Sequence, residues 1–287
     1  LIDARSIGPK LSGRGRHTLN LLLGLSYIES ALAFYVLYNS PRAYKVIDKA
    51  GGPFRNRFHW IPTSSVPNSV LSNFIIPWVI RMYRVHLFHD VTGSGVWAPG
   101  VRRITTLHEL DGLHSQDVET YREKMKKKLK GTDLIISVSH SLAQEIDQQL
   151  YISFPKIRII PNAIDPWYVD RATSEELRAM RERFKIPGKY FLCVSVGNRK
   201  SKNIEFLTDV ADTWTGDEKW VFTLPKRATK NPQTSFLDIV DDIWLRPLYA
   251  EATAVVVPST YEGFSIPPIE ALSTGTLPVV SSIAPHR

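Results

Sequence analysis

The sequence offers little covalent stabilisation and no obvious membrane anchor. Only one of its 287 residues is cysteine, which excludes an intramolecular disulfide framework and suits a reducing compartment. No apolar run reaches the length of about 18 residues that a membrane-spanning helix needs. The chain also lacks a charged leader followed by an apolar core and a cleavage site. We therefore expect a soluble, cytoplasmic protein.

Sites for structural metals and reactive thiols are equally scarce. No Cys/His cluster has the spacing of a zinc site, so no metal is expected. The one thiol, Cys193, lies within the apolar run 190–196. We expect it to be a small buried core residue and not a nucleophile.

Negative charge is also in short supply. The formal net charge is +8 and the isoelectric point is about 9.5. Such a balance predicts attraction to an anionic partner, which could be nucleic acid, an acidic membrane surface or a phosphorylated substrate. Charge alone does not choose among these three.

Short apolar runs alternate with amphipathic segments along the whole chain, as in βαβ units with a parallel sheet. In the first half, strands are expected at 34–38, 58–61, 85–88, 103–107, 134–138 and 157–160, with helices at 16–29, 66–82, 120–130 and 141–151. The pattern restarts with a capping box at Thr173 and Glu176. Four more strands are expected at 190–196, near 220, at 254–257 and at 277–280, with helices from 203 and 268. The length and pattern predict two α/β domains, 1–167 and 168–287.

The segment 258–271 carries the strongest functional signal. An apolar strand ends at Val257 and runs into a Ser/Thr/Gly loop, and Pro268 is placed to be the first helical residue. Backbone N–H groups at such a helix start form an anion site in open α/β sheets. Glu262 lies in the loop and Glu270 in the expected first turn. Each carboxylate alone could be merely solvated or complement the helix dipole, but the combination favours a binding site.

Three further segments follow expected strands. The basic loop 196–203 could clamp a diphosphate with Arg199, Lys200 and Lys202, although for a basic tetrapeptide alone a solvated turn is the favoured interpretation. Gly13 and Gly15 could let the backbone approach a ligand closely, but a lone Gly-x-Gly is weak evidence. His108 ends an apolar strand, where a structural and a functional role are about equally expected.

Taken together, these segments resemble the retaining glycosyltransferase family 4 enzymes, which have the two-domain GT-B architecture. The family's E-x7-E signature matches Glu262 and Glu270 with that spacing. Other similar segments follow in family order over nearly the whole chain, at 13–16, 108–110, 137–141, 160–165, 202–203, 248–252 and 275–282. The resemblance implies two Rossmann-like domains that face each other across a cleft, with the acceptor on the first and the nucleotide sugar on the second.

The resemblance also implies an activity and a set of roles. The enzyme would move a sugar from a nucleotide diphosphate donor (UDP-, GDP- or ADP-linked) to an acceptor hydroxyl with retention, in glycan or glycolipid assembly. Arg199 and Lys202 would stabilise the leaving diphosphate, Glu262 would orient the donor sugar, and His108 would contact it from the first domain. Glu270 would bind the ribose. The remaining implied donor-binding residues are Gly13, Gly15, Gly263, Phe264, Ser265 and Ile266.

Several features depart from the family pattern or extend it. The basic loop is short, the stretch 224–246 is compressed, and the terminal helices of the family are not expected in the second domain. The sequence has no Asp-x-Asp, a metal–diphosphate motif of another glycosyltransferase architecture, so we predict metal-independent transfer without a cofactor. The acceptor would be a sugar or a lipid-linked glycan, and nucleic acid is not expected because aromatic residues are not interleaved with the lysines.

One helix raises the possibility of a peripheral membrane protein. Tyr121, Met125 and Leu129 form an apolar stripe on the lysine-rich segment 121–130. This stripe could meet anionic lipid or a phosphorylated lipid-linked acceptor, or it could equally pack on the sheet with its lysines in water. For the activity, the alternatives are a GT-B-type phosphorylase, a sugar-nucleotide epimerase and an inactive glycosyltransferase-like scaffold.

Overall fold

The chain forms two compact units in a computed structural model that describes residues 1–8, 12–50, 52–63, 66–114, 117–195 and 199–287. The units are Leu1–Ala163 and Ile164–Arg287. This division lies slightly before the one predicted after residue 167. Trp167 and Tyr168 belong to the hydrophobic core of the second unit, where the Tyr168 ring packs 5.9 Å from the ring of Tyr249. The linker residues thus join the second unit because the Tyr168 ring is buried there and the half-buried Trp167 ring packs against the same core.

The first unit contains a seven-stranded sheet in which every pairing is parallel. Its strands are β1 Ile2–Asp3, β2 Phe34–Tyr38, β3 Phe58–Pro62, β4 Leu87–Asp90, β5 Arg102–Leu107, β6 Leu134–Ser137 and β7 Ile157–Ile159. Their order is β3-β2-β1-β4-β5-β6-β7. The strand order therefore reverses between β1 and β4, which is the position where open parallel sheets form a ligand-binding crevice.

Among the residues that the structure describes in this unit, six α-helices and one π-helical turn connect these strands. The α-helices are α1 Gly13–Tyr27, α2 Arg42–Ala50, α3 Asn68–Val70, α4 Ile76–Tyr83, α5 Val118–Leu129 and α6 His140–Leu150. The π turn Leu71–Ile75 joins α3 to α4 without a break. It ends two residues before Pro77, which lacks an N–H and collides with a regular preceding turn, so the wider π turn accommodates the proline.

The second unit repeats the same plan on a smaller scale. Its strands are β8 Tyr190–Cys193, β9 Lys219–Phe222, β10 Thr234–Phe236, β11 Ala254–Val257 and β12 Pro278–Val280. All pairings are parallel, in the order β10-β9-β8-β11-β12, so this sheet reverses between β8 and β11. The helices are α7 Ser174–Phe184, α8 Ile204–Thr213, α9 Asp242–Ala250 and α10 Ile266–Ser273. The prediction of two Rossmann-like parallel-sheet domains is confirmed.

Local signals located the elements well where they were strong. The capping box is present, since the Thr173 hydroxyl accepts from the Glu176 N–H and the Glu176 carboxylate accepts from the Thr173 N–H. Gly275 ends α10 with a φ of +82°, a conformation that glycine adopts readily. In contrast, α10 begins at Ile266 and not at the predicted Pro268. Both prolines lie within its first turn, where their missing N–H groups cost no helical hydrogen bond.

Three elements were not predicted: α2, α9 and β10. The strand β10 lies in the stretch 224–246, which is shorter than the family pattern, and α9 begins in it. The strand β10 gives the second sheet a fifth strand where four are expected. An internal proline, Pro247, hides the helical pattern of α9. Within the part of the chain that the structure describes, no helix is both long enough and apolar enough to cross a bilayer.

Candidate active site

The predicted second-unit residues converge on the switch point of its sheet. Strands β8 and β11 are neighbours there, and the loops that follow their carboxyl ends carry Lys202 and Glu262. The first three residues of the predicted basic loop 196–203 lie outside the described residues: Val196, Gly197 and Asn198. Because neighbouring parallel strands end at the same edge, residues far apart in sequence become adjacent in space.

Lys202 and Glu262 form an ion pair at this edge. The Lys202 Nζ lies 2.6 Å from Oε1 and 2.8 Å from Oε2 of Glu262. The Ser259 hydroxyl donates to the same Oε1 at 2.7 Å. Glu262 is only 8% exposed, so this carboxylate is held in place by two neighbours inside the protein. An ammonium has three N–H donors, so Lys202 can hold Glu262 and still donate to a phosphate oxygen.

Backbone contacts fix the two loops against each other. Lys202 ends a short 3-10 helix, Lys200–Lys202, which is stopped by Asn203 in the left-handed conformation at a φ of +53°. The Asn203 side-chain amide donates to the Pro258 carbonyl at 3.2 Å, and the Thr260 N–H donates to the Ser201 carbonyl at 2.8 Å. These bonds position the ammonium before any ligand is present. Arg199 lies just before the 3-10 helix and is exposed.

The start of α10 supplies hydrogen-bond donors at the same edge. Ser265 is its N-cap residue, and its buried hydroxyl makes no side-chain capping bond and has no hydrogen-bond partner among the described residues. Pro267 and Pro268 have no N–H groups, so the backbone N–H groups of Ser265 and Ile266 supply the orphan donors of this helix start. A buried hydroxyl without a partner beside open N–H groups fits a polar ligand such as a phosphate.

Glu270 lies one turn further along than the sequence predicts. Because α10 begins at Ile266, this carboxylate is in the second helical turn and is only 3% exposed. The buried Tyr249 hydroxyl of α9 donates to its Oε2 at 2.6 Å. Gly263 and Phe264 complete the loop between the two glutamates. Thus all predicted residues from Gly263 to Glu270 belong to one loop–helix segment that follows β11.

In the first unit, His108 directly follows the carboxyl end of β5. Its Nε2 lies 2.8 Å from the Val91 carbonyl, which can only accept, so Nε2 carries the proton and Nδ1 is left as an acceptor. The His17 ring of α1 packs edge-on against it at 4.7 Å. Burial, together with the neighbouring His17, lowers the pKa of His108 to about 3. The imidazole is therefore neutral at physiological pH.

The two predicted glycines lie inside a helix and not in a loop. Gly13 and Gly15 form the first turn of α1, and the Gly15 N–H donates to the side chain of the N-cap residue Ser12. That amide is consequently engaged within the protein. Arg14, between them, pairs at 2.6 Å with Glu109, the residue after His108. The start of α1 is thereby tied to the end of β5.

Several residues of these groups were missed by sequence reasoning. Ser259 and Tyr249 were seen only as parts of longer similar segments, while Arg14 and His17 were not assigned roles. The i, i+3 spacing of Ser259 and Glu262 could have indicated that bond. No local signal indicates the Tyr249–Glu270 contact, because it joins two helices 21 residues apart.

The expectation for the single thiol holds. Cys193 is buried, and burial raises the pKa of its thiol to about 12, so it is a core residue as predicted. Within the described ranges, no three His, Cys, Asp or Glu residues are grouped so as to hold a metal ion. Whether the reaction needs a metal remains a separate prediction.

The apolar stripe of α5 does not form a lipid-binding face. Met125 and Leu129 are both buried, and Tyr121 is half-buried against Gly112. The structure therefore favours the packed alternative, in which the stripe covers the sheet and the lysines reach water. The apolar side chains of the stripe are thus used in the core, and contact of the lysine-rich surface with anionic lipid stays a prediction.

Comparison with known proteins gives the same picture for both units. The family model described as Glycosyltransferase Family 4 matches residues 15–168, and that described as Glycosyl transferases group 1 matches residues 189–287. The chain is 28% identical over 233 residues to O-antigen chain mannosyltransferase B of Escherichia coli, covering 71% of this chain and 59% of that protein. It is 28% identical over 194 residues to an uncharacterized glycosyltransferase of Methanocaldococcus jannaschii, covering 62% of this chain and 50% of the relative.

The fold is likewise shared with solved structures. The Anabaena protein HepE, crystallised in complex with UDP-glucose, superposes with a TM-score of 0.74 over 99% of this chain and 80% of its own. The two sequences are 13% identical, so this likeness concerns the fold alone. The chain spans less than two thirds of the length of the curated relatives named above.

Proposed function

This chain belongs to glycosyltransferase family 4, and from that premise we propose that it transfers a glycosyl group from a nucleoside-diphosphate sugar to an acceptor hydroxyl. The observation that carries the proposal is the Lys202–Glu262 ion pair at the switch point between β8 and β11. Beside it lie the start of α10 and the partnerless hydroxyl of Ser265. The cation, the N–H donors and the buried hydroxyl together match a diphosphate. A purely structural ion pair would need neither the N–H donors nor the hydroxyl.

The transfer itself can be written without a nucleophile from the protein. The acceptor oxygen bonds to the anomeric carbon while the bond from that carbon to the phosphate oxygen breaks, and its electron pair leaves with the diphosphate. The acceptor proton passes to a phosphate oxygen. Negative charge then grows on the diphosphate, where Lys202 and Arg199 stabilise it, because fixed charges act most strongly where charge develops. The front-face geometry of this route retains the anomeric configuration.

The carboxylates and the histidine would bind the neutral parts of the donor. Glu262, held by Lys202 and Ser259, would orient sugar hydroxyls, and Glu270, held by Tyr249, would accept from the ribose. A neutral His108 with a free acceptor at Nδ1 suits a contact with a sugar hydroxyl. Gly13 and Gly15 keep a smaller proposed role beside the diphosphate, since the Gly15 N–H is already bonded.

For the substrates, we propose mannose as the first donor sugar to test and a sugar or lipid-linked glycan as the acceptor. The choice of mannose is supported by the similarity of the chain to the Escherichia coli relative, which is an O-antigen chain mannosyltransferase. The base of the donor, UDP, GDP or ADP, is left to experiment. We further propose that the reaction takes place in the cytoplasm, at the inner surface of a membrane, and without a metal.

A two-stage experiment tests this function. First, thermal stability is measured with UDP, GDP, ADP and their sugars, because a ligand that binds only the native state raises the unfolding temperature. Nucleotide release is then followed with the stabilising donor and a series of sugar acceptors. Acceptor-dependent release of nucleoside diphosphate supports the transferase, and the anomeric coupling in the product's proton NMR spectrum decides retention.

The same assay separates the alternatives. A phosphorylase would need inorganic phosphate as the acceptor, an epimerase would change the donor without an acceptor, and an inactive scaffold would release no nucleotide. Release that depends on phosphate, or no release with any donor that binds, would reject the proposed transfer.

A further inference from the structure

The helical segment from Asn68 to Tyr83 is apolar on two opposite faces. Its inner face is buried in the first-unit core through Leu71, Ile76 and Val79. An amphipathic helix of a protein in water would be polar on its outer face. Here that face carries large apolar side chains instead.

The outer side chains form a continuous row, which we name the outer stripe: Val70, Phe74, Trp78 and Met82. They recur at every fourth position, and Phe74, Trp78 and Met82 are 69%, 52% and 58% exposed. Trp97 is a further exposed aromatic residue, at 55%, and its backbone N–H donates to the Ser72 hydroxyl of the same segment at 3.2 Å. Exposed apolar patches of this kind mark interaction sites for proteins or membranes.

The charge of the residues around the outer stripe indicates whether its partner is a protein or a membrane. The chain has no aspartate or glutamate between Asp48 and Asp90. Arg81 is exposed in the last turn of α4, and Arg84, also exposed, ends it in the left-handed conformation. Aromatic and apolar side chains beside arginines, in a stretch of sequence that contains no acidic residue, match the boundary between acyl chains and anionic headgroups.

We propose that this segment docks the protein on an anionic membrane surface, with the outer stripe in the acyl–headgroup boundary and Arg81 and Arg84 on the headgroups. The segment lies parallel to the bilayer and does not cross it, because it presents only one free apolar face. The inference does not depend on the proposed transfer activity, since lipid binding is measured without substrate. It assigns the apolar contact with lipid to the outer stripe and not to the stripe of α5.

Vesicle sedimentation tests the proposal with the full chain. Vesicles of phosphatidylcholine alone are compared with vesicles that also contain phosphatidylglycerol. We expect binding to the anionic vesicles, with at least about a tenfold weaker partition for the double variant Phe74→Ser/Trp78→Ser, because two aromatic insertions are removed. Arg81→Gln should weaken the same partition about fivefold.

Matched variants control for general surface effects. Phe206 is 56% exposed on α8 of the second unit, so Phe206→Ser removes a similar side chain elsewhere and should bind as the wild type does. Lys127→Glu/Lys130→Glu changes the lysines around the open cavity of about 570 Å³ at the end of α5. Circular dichroism verifies folding of each variant, and Met82→Glu serves as a single-site replacement if the double variant does not fold.

Three results would overturn the proposal. One is a wild-type chain that binds neither kind of vesicle. Another is a loss of binding in Lys127→Glu/Lys130→Glu but not in Phe74→Ser/Trp78→Ser, which would assign lipid contact to the lysine cavity. The third is a concentration-dependent dimer, seen by gel filtration and abolished by the outer-stripe variants, which would assign the face to a second copy of the chain.

Discussion

The ammonium of Lys202 contacts both carboxylate oxygens of Glu262, at 2.6 and 2.8 Å, although 60 residues separate the two in the chain. The pair joins the loop after β8 to the loop after β11 where the order of the second sheet reverses. It is largely withdrawn from water, with side-chain exposures of 21% and 6%. A charge pair so placed has a direct bearing on both activity and stability.

Removal of either partner should abolish most of the transfer. We expect Glu262→Gln and Lys202→Met each to lower kcat/KM about a hundredfold or more. Lys202→Met removes a charge that stabilises the leaving diphosphate, and Glu262→Gln removes the carboxylate that holds this ammonium and orients the sugar. Each should also lower the unfolding temperature, since a buried charge is left without its partner. Initial rates of nucleotide release and thermal unfolding measure the two effects.

A double variant separates catalysis from folding. Lys202→Met/Glu262→Gln should regain much of the stability lost in the single variants while remaining inactive, because neither charge is left unpaired. As a control, Glu251→Gln breaks the Arg181–Glu251 pair of the same unit and should keep wild-type kcat/KM. Near-normal activity in Glu262→Gln would contradict the proposed role of this residue.

Loss of the Tyr249 hydroxyl should weaken donor binding. Tyr249→Phe removes the 2.6 Å hydrogen bond that holds Glu270, so we expect the KM for the nucleotide sugar to rise about fivefold with little change in kcat. Tyr190→Phe is a close control, because this buried hydroxyl donates at 2.7 Å to the Leu248 carbonyl of the same core. Both variants should lose about 1–2 kcal/mol of stability. An equal KM change in both would show that the effect is only structural.

Stability of the first unit should fall as the pH is lowered through the weakly acidic range. Burial lowers the pKa of His108 to about 3 and that of His89 to about 4, from an ordinary value of 6.5. Between pH 6.5 and 4, these two histidines therefore bind protons in the unfolded chain but not in the native chain. Above pH 6.5 the two histidines do not lower the free energy of unfolding. Below pH 6.5 this free energy falls by about 1.4 kcal/mol per pH unit for each histidine.

Urea unfolding at pH 7.5 and pH 5 measures this decline. His89→Gln keeps a polar partner for the Thr106 hydroxyl, which lies 2.8 Å from the histidine Nε2, but removes one titrating group. The loss of stability between the two pH values should accordingly be smaller in this variant. The same loss in both proteins would mean that other groups cause the pH dependence.

Transfer should continue after metal removal. The sequence has no Asp-x-Asp, and cationic side chains near the switch point can take the charge that a metal would otherwise neutralise. We expect nucleotide release to be unchanged after treatment with EDTA and dialysis. A large loss that Mg²⁺ or Mn²⁺ restores would show that the reaction depends on a divalent ion.

The sequence by itself determined the elements and their class. Alternating apolar runs and amphipathic segments predicted nearly every strand and helix, because backbone hydrogen bonding and hydrophobic periodicity act over short distances. The capping box at Thr173 and the glycine stop at Gly275 were located correctly for the same reason. The E-x7-E segment could also be found, since both glutamates follow one strand.

Only the tertiary structure decided which side chains meet and which faces remain exposed. The contacts of Glu262 with Lys202 and of Glu270 with Tyr249 arise from the parallel packing of β8 beside β11 and of α9 beside α10, which no local spacing encodes. Burial likewise placed the stripe of α5 in the core and left Trp78 in water. Both segments have the same helical periodicity, and only their packing against the rest of the unit distinguishes a covered face from an open one.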